Sequence, residues 1–423
     1  MQRQVWLCAS LALAGSLAPP LHAQKAWTWA ELRDRFAAAN PTLRAAQLSV
    51  DEARDQEVTA YLRPNPEYTL TTDGNQIAPH DGVWQPLSGT FFINSFSYLH
   101  EREHKRELRL HAAQANTRVA EWQRDDQART LMFTLRNNFV QALQAKAVLE
   151  VAKENLAYYD RTLDVNRLRF KAGDIARIDL DRLELQRVQF ESDVLTAETN
   201  LRTAKIQLLA LLNDRTPVTQ FDVTGTFDFQ DTLLTLQELH DAALASRPDL
   251  QAAVQTIQMA KINHQLAVAN GSTDPTFGGW WTHNASTNNP AARETLGLSV
   301  NIPLRLFDRN QGEKARTLVE VRRDERLEEA ARAQVFSDVD SAYTTLENNL
   351  ALLRPYKTTY LALASRVRDN VSFSYQHGGS SLLDFLNAQN DYRTVQLNYV
   401  NLVGAYLTAA AQLNLAVGRE VIQ

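Results

Sequence analysis

Apolar residues recur every seven positions along two very long stretches of this chain. Leu135, Ala142, Leu149, Leu156, Leu163 and Phe170 form one series, and Val339, Leu346, Leu353, Tyr360 and Val367 form another. Shorter series follow each: Val194, Leu201 and Leu208, then Tyr392, Tyr399, Tyr406 and Leu413. A strict period of seven predicts neighbouring helices packed as coiled coils. From His104 to Lys171 no Gly or Pro interrupts the pattern. That run of about 68 residues predicts a rod roughly 100 Å long at 1.5 Å per residue. Ordinary globular helices have three or four turns. From Gly312 to Tyr375 the one strong breaker is Pro355.

Each long run ends in the same pattern: an aromatic residue, two residues, Gly, five residues, Asp. Phe170, Gly173 and Asp179 map onto Tyr375, Gly378 and Asp384 by adding 205. Gly suits the left-handed end of a helix, and an Asp suits the positive N-terminal end of the next one. Each copy is therefore expected to be the tip of a helical hairpin, with Asp179 and Asp384 each opening the returning helix and Asp179 as its N-cap. A second repeat supports the first. Glu31, Leu32, Pro41, Leu43, Ala45, Ala46, Ala53 and Ala60 match Glu238, Leu239, Pro248, Leu250, Ala252, Ala253, Ala260 and Ala267 at an offset of 207. The chain reads as an internal duplication: residues 24–213 and 236–423 are the copies, with tips at 170–179 and 375–384. Residues 214–235, with Pro217, Gly225 and three Phe, form a linker expected to belt the rods from outside.

Between the opening helix and the rod, each copy changes to period two. The first has strands expected within about 67–99, separated by a Gly/Pro/Asp-rich loop over about 73–90. The second has strands within about 276–303 around a polar loop, Asn284 to Arg293. In the last strand Leu296, Leu298, Val300 and Ile302 face one way, and Thr295, Gly297, Ser299 and Asn301 the other. A membrane β-barrel strand needs that alternation, and a soluble sandwich strand shows it too.

Composition narrows the choice. Gly (15) and Pro (13) are few for 423 residues, so elements are long and turns rare. Residues 1–23 read as a secretory leader: Arg3, an apolar run from Val5 to Leu17, and a small residue, Ala23, before cleavage. An N-terminal anchor helix is the alternative, but Gly15, Pro19 and Pro20 break the run. The lone cysteine, Cys8, lies in the leader, so neither a disulfide nor a thiolate metal site is expected beyond it. Ser16 stands where a lipoprotein box would carry its Cys, so no lipid anchor is expected. Net charge is −5, with no basic run, which argues against nucleic acid. No other stretch approaches the apolar length of a spanning helix, so any membrane contact must be made by strands. Four strands leave open edges, which lipid does not tolerate, so other copies must complete the barrel, with the small polar faces lining a lumen.

These features resemble the TolC-like outer-membrane efflux factors. The resemblance rests on the two Pro-x-Leu-x-Ala-Ala helices, on Ile302-Pro303-Leu304 with Phe307-Asp308-Arg309-Asn310-Gln311-Gly312, and on the two tips. The Ile302–Gly312 run looks most like the CzcC-type heavy-metal branch. The resemblance implies a mixed α and transmembrane β fold: a trimeric twelve-stranded barrel continuous with a long periplasmic α-helical barrel. It implies a passive duct in the outer membrane of a Gram-negative bacterium, without cofactor or catalysis. A periplasmic membrane-fusion adaptor would dock at the tips (Gly173, Asp174, Asp179, Gly378, Gly379), fed by an inner-membrane pump of RND type. Organic compounds or type I protein secretion are alternative cargoes. The family often narrows its periplasmic end with two aspartates three apart, just after the second tip. The matching positions are Asp384 and Asn387, with Tyr375 expected beside them as a latch, and a ring of carboxylates would favour cations. Asp384 as a mere helix cap is the alternative.

One feature points elsewhere. His100-Glu101-Arg102-Glu103-His104 fits H-E-x-x-H, the zinc-protease motif in which two His on one helix face hold the metal. It sits at a strand-to-helix junction and has no third-ligand motif. A charged collar at the top of the tube is the structural reading, and transient metal contact at His100, His104, Glu107 and His111 is a third. The family often has Gly-Lys-Arg at this junction, where this chain has His104-Lys105-Arg106.

Overall fold

The computed structural model describes residues 26–231, 233–284 and 289–422. Residues 1–25, with the expected leader and Cys8, and part of the 284–293 loop lie outside these residues.

The first copy opens with β1 (Ala26–Trp27), α1 (Trp29–Ala39) and α2 (Pro41–Tyr61). The hairpin β2 (Glu67–Asp73) and β3 (Phe91–Leu99) follows, then the rods α3 (Lys105–Ala172) and α4 (Arg177–Leu211). A short connection carries β4 (Asp222–Val223), which pairs in parallel with β1. The second copy repeats the order: α5 (Leu236–Ser246), α6 (Pro248–Ala269), β5 (Thr276–Asn284), β6 (Glu294–Asn301), α7 (Gln311–Pro355), α8 (Leu361–Gln376) and α9 (Leu382–Val417). The 68 residues of α3 form one unbroken helix.

The duplication extends to local chemistry. Thr28 and Thr235 each cap their helix through a capping box with the Glu three residues on, Glu31 and Glu238. The residue between each pair of short helices hooks onto the end of its own returning rod. Asn40 donates Nδ2 to the Leu211 carbonyl at 3.0 Å, and Arg247 donates Nη1 to the Ala416 carbonyl at 3.3 Å. Arg247 is buried and neutralised by Asp249 and by Asp338 of α7, at 2.5 and 2.8 Å. The rising rods α3 and α7 also begin on a left-handed residue: His104 has φ 53° and Asn310 φ 60°. His104 thus takes the conformation that glycine favours at this turn, at a cost of about 1 kcal/mol.

The core is a series of seams along the rods. Leu135, Ala142, Leu149 and Leu163 are buried, with Leu156 and Phe170 partly so, which keeps one register down to the tip. In the second rod Val339, Leu346 and Leu353 are buried, but Tyr360 and Val367 are 45% and 44% exposed, contrary to the seven-residue expectation. The cause is a π-turn over Tyr356–Tyr360, directly after Pro355. Proline cannot donate to the helical ladder, and the wider turn takes up one extra residue. Below it the inward positions become Leu361, Arg368 and Tyr375. The 214–235 segment meets this turn: Asp228 binds Lys357 at 2.8 Å, Asp231 binds Arg354 at 2.6 Å, and the Tyr406 hydroxyl donates to the Gln230 carbonyl at 2.9 Å.

One expectation on apolar length is corrected. α9 is long and apolar enough by composition to cross a membrane, but 61% of its most apolar window is buried. That apolar surface is core, used against α3, α7 and α8.

Candidate functional site

β2, β3, β5 and β6 form one antiparallel sheet in that order, so β2 and β6 are open edges. Register assigns the faces. Tyr68 lies opposite Phe96, which lies opposite Gly279, which lies opposite Leu298. The next row runs Leu70, Asn94, Trp281, Leu296, and the row at the helical end joins Tyr98, Phe277 and Val300. This face is mainly apolar and largely exposed, with Asn94 within it and Thr72, His283 and Glu294 in the row at the loop end. The other face carries Thr69, Thr71, Ser95, Ser97, Gly278, Thr282, Ser299 and Asn301, together with Trp280, Phe91, Ile93 and Leu99. A Cβ on Gly297 would meet the Trp280 ring at 2.2 Å, so glycine there makes room for the indole. One apolar and one mainly small polar face is the division a lipid-facing wall with a wet interior requires.

At the far end of the rods, Gly173 and Gly378 have φ 86° and 80°, and their amides donate back to the last turn of the rising helix. Both tips are exposed, Asp174 and Gly379 included. Neither aspartate is an N-cap, the role expected of Asp179 and the alternative for Asp384. The caps are Ala176 and Ser381, and Asp179 and Asp384 stand three residues further on. At the second tip this makes a capping box: the Asp384 carboxylate accepts from the Ser381 hydroxyl at 2.7 Å and from its amide at 3.1 Å. Those two bonds hold the Asp384 carboxyl below its ordinary pKa. Ala176 offers no such partner, so the two tips differ chemically. Asp384 and Asn387, both exposed, share the first-turn face of α9.

Tyr375 is turned inward and stacks on Phe385, the residue after Asp384. It is 6% exposed and packs inward with Tyr159, Leu163, Leu183, Phe190 and Phe385, because the π-turn places it on the inner seam. Its hydroxyl donates to Asn166 Oδ1 at 3.1 Å. Burial raises its pKa, opposed by Arg169, whose guanidinium lies 5.4 Å from the ring centre. Further contacts join the hairpins here. Arg393 of α9 binds Asp193 of α4 at 2.6 Å, and Arg368 lies 3.9 Å over the Tyr392 ring and 4.7 Å over that of Tyr158. Sequence reading missed these polar residues because period analysis counts apolar positions only.

The H-E-x-x-H reading is overturned by backbone geometry. Glu103 and His104 both have positive φ, and helix α3 starts only at Lys105. The two histidines therefore share no helix face. Glu101 is bound by Arg109, with one contact from Nη2 at 2.9 Å and a second from Nη1. His100, Glu101, Glu103, His104 and Glu107 line one open cleft of about 390 Å³ with Arg63 and Arg106, a collar of mixed charge. Among the described residues no three His, Asp or Glu groups are placed to hold a metal ion.

A family model for outer membrane efflux proteins matches residues 32–214 and 239–419. The cobalt-zinc-cadmium resistance protein CzcC of Cupriavidus metallidurans is 23% identical over 90% of this chain and 88% of its own length. The outer membrane efflux protein BepC of Brucella suis is 24% identical over 74% and 69%. Among solved structures, CusC superposes with a TM-score of 0.78 at 18% identity, covering 95% of this chain and 96% of that one. The outer membrane protein VceC of Vibrio cholerae gives 0.73 at 16% identity, covering 92% and 96%. The chain belongs to the outer membrane efflux protein family and is a TolC-fold channel of the outer membrane that extends into the periplasm.

Proposed function

We propose that this channel is the homotrimeric exit duct of a tripartite system that expels heavy-metal cations. The observation that carries the cargo is similarity over nine-tenths of the chain to a relative named for cobalt, zinc and cadmium resistance. An RND-type inner-membrane pump would load the duct through a periplasmic membrane-fusion adaptor. The protein's part is passage, not chemistry.

Two kinds of surface support the trimer. β2 and β6 are unpaired edges, and each unpaired backbone group in lipid costs several kcal/mol. Three copies would supply twelve strands and close the wall. Exposed apolar residues also run down α4 (Ile178, Leu185, Val188, Leu195) and α8 (Leu363, Val367), faces that neighbouring copies would cover. The exposed turns at Gly173, Asp174, Asp179, Gly378 and Gly379 would receive the adaptor. Asp384 and Asn387 would ring the periplasmic mouth, where three carboxylates attract cations.

Mass measurement in mild detergent tests the assembly: a stable monomer or dimer would overturn the twelve-strand reading. Expression in a host deleted for its own metal-efflux channel tests the cargo. Restored growth on zinc, cobalt or cadmium supports it, and loss of that rescue in Gly378→Val at normal abundance supports docking at the tip. A second reading, export of organic compounds or of proteins by a type I route, draws on a relative named for pyoverdine export, 24% identical over 68% of this chain. Rescue against organic toxins without rescue against metals would favour it.

A further inference from the structure

The outward apolar face of β6 continues after the sheet has ended. Leu296, Leu298 and Val300 are 78%, 82% and 58% exposed, and pairing stops at Asn301, opposite Thr276. Beyond it, Ile302 is 55% exposed, Leu304 77%, Leu306 64% and Phe307 91%. The apolar run then gives way at once to Asp308-Arg309-Asn310 and the start of α7.

This segment is a built turn. The Pro303 carbonyl accepts from the Thr273 hydroxyl at 3.2 Å, and the Leu306 amide donates to the Leu304 carbonyl at 2.9 Å. Arg305 turns inward, where its charge helps keep Asp274 ionised, and Arg309 Nε donates to the Arg305 carbonyl at 3.1 Å. Polar groups hold the inner side, and Leu304, Leu306 and Phe307 are left outside. An apolar surface of this kind on a folded protein marks an interaction site.

Its place in the fold selects the partner. It continues the row of side chains that faces lipid, at the periplasmic end of the strands. Tyr98 and Phe277 lie at the same end and on the same face. Aromatic residues collect at that level of a barrel, and the exposed Arg309 that follows the apolar run suits phosphate headgroups.

We propose that Leu304, Leu306 and Phe307 form a wedge that enters the periplasm-facing leaflet of the outer membrane, docking this loop on phospholipid and fixing the depth of the barrel. The inference rests on the outer-membrane placement of the sheet, so its test carries an internal reference. In a Cys8→Ser background, single cysteines replace Leu298, Leu304, Leu306 or Phe307 and receive a nitroxide label. The full-length channel is reconstituted in phosphatidylethanolamine and phosphatidylglycerol vesicles, and accessibility to oxygen and to a water-soluble nickel chelate is read by power saturation. The wedge requires high oxygen and low nickel access at 304, 306 and 307, at a shallower depth than at 298. High nickel access at the three sites, with lipid access at 298, would overturn the wedge alone and leave the loop in water. Low access to both reagents would also overturn it and assign the surface to a second copy. Loss of lipid access at 298 itself would instead reject the strand placement on which the wedge rests.

Discussion

Tyr375 and Phe385 stack with ring centres 5.1 Å apart and planes 20° from parallel. The last turn of the rising helix is thereby locked to the first turn of the returning one, with Asn166 of the other hairpin hydrogen-bonded to the tyrosine hydroxyl. Replacing Tyr375 by Phe keeps the stack and orphans the buried Asn166 oxygen. We expect a loss of about 1–3 kcal/mol, seen as a lower denaturation midpoint with unchanged helix content. Asn166→Ala in the same background should cost little more, because the bond is already gone.

His104 stands in the left-handed region with 88% of its side chain in solvent. Glycine there relieves the strain without removing a buried contact. His104→Gly should stabilise the protein by about 1 kcal/mol, less the entropy glycine adds to the unfolded chain, and leave transport unchanged. Thermal unfolding and a metal-resistance assay check the two halves. A transport defect would revive a ligand role for the histidine.

The charge of Asp384 can be separated from its place in the capping box. Asp384→Asn keeps an oxygen that can accept from Ser381 and removes the carboxylate. In planar bilayers the variant should lose cation preference and block by divalent ions, while its melting point moves little. Unchanged selectivity would leave Asp384 as part of the helix start and nothing more.

The contact between the linker and the π-turn should loosen in acid. Burial alone would raise the Asp228 carboxyl, but hydrogen bonds from Lys357 and from the Phe229 amide hold it below its ordinary value. A depressed carboxyl contributes stability that is complete above the usual carboxylate range and lost as pH falls through the folded value. The pair is half exposed, so its worth is modest, about 0–1 kcal/mol. Amide exchange around residues 226–231, corrected for its intrinsic pH dependence, should rise as pH drops below that range. Asp228→Asn should show the faster exchange already at neutral pH.

The strands and the first rod were legible because their signals are periodic and their ends are marked by Pro or Gly. β3 and β5 form where alternation and turn residues agree, and α3 spans the run without breakers. The failures share one physical cause: they depend on a phase or a dihedral angle that residue type does not fix. Tyr360 and Val367 continue the series of seven in the sequence, yet one added residue at the π-turn rotates them outward and brings Tyr375 in. His104 reads as a metal ligand by spacing, until two left-handed residues remove the helix face the motif needs. Asp384 reads as a cap by position, but Ser381 holds that place. A hydroxyl three residues before a carboxylate was the signal that could have found it.

The π-turn also explains how far the duplication remains a symmetry. Above it, the two copies match down to their caps and the hooks from Asn40 and Arg247. Between Leu353 and Leu361 the second rod carries one residue more than the first does between Leu149 and Leu156, and the wide turn absorbs it. Leu361, Arg368 and Tyr375 therefore face inward at the places held by Leu156, Leu163 and Phe170, where an unbroken helix would have turned them away by about 100°. A ring assembled from such chains would keep a nearly sixfold backbone down to its tips, with threefold chemistry there. A partner approaching the tips would therefore meet two alternating kinds of surface, though both descend from one ancestral hairpin.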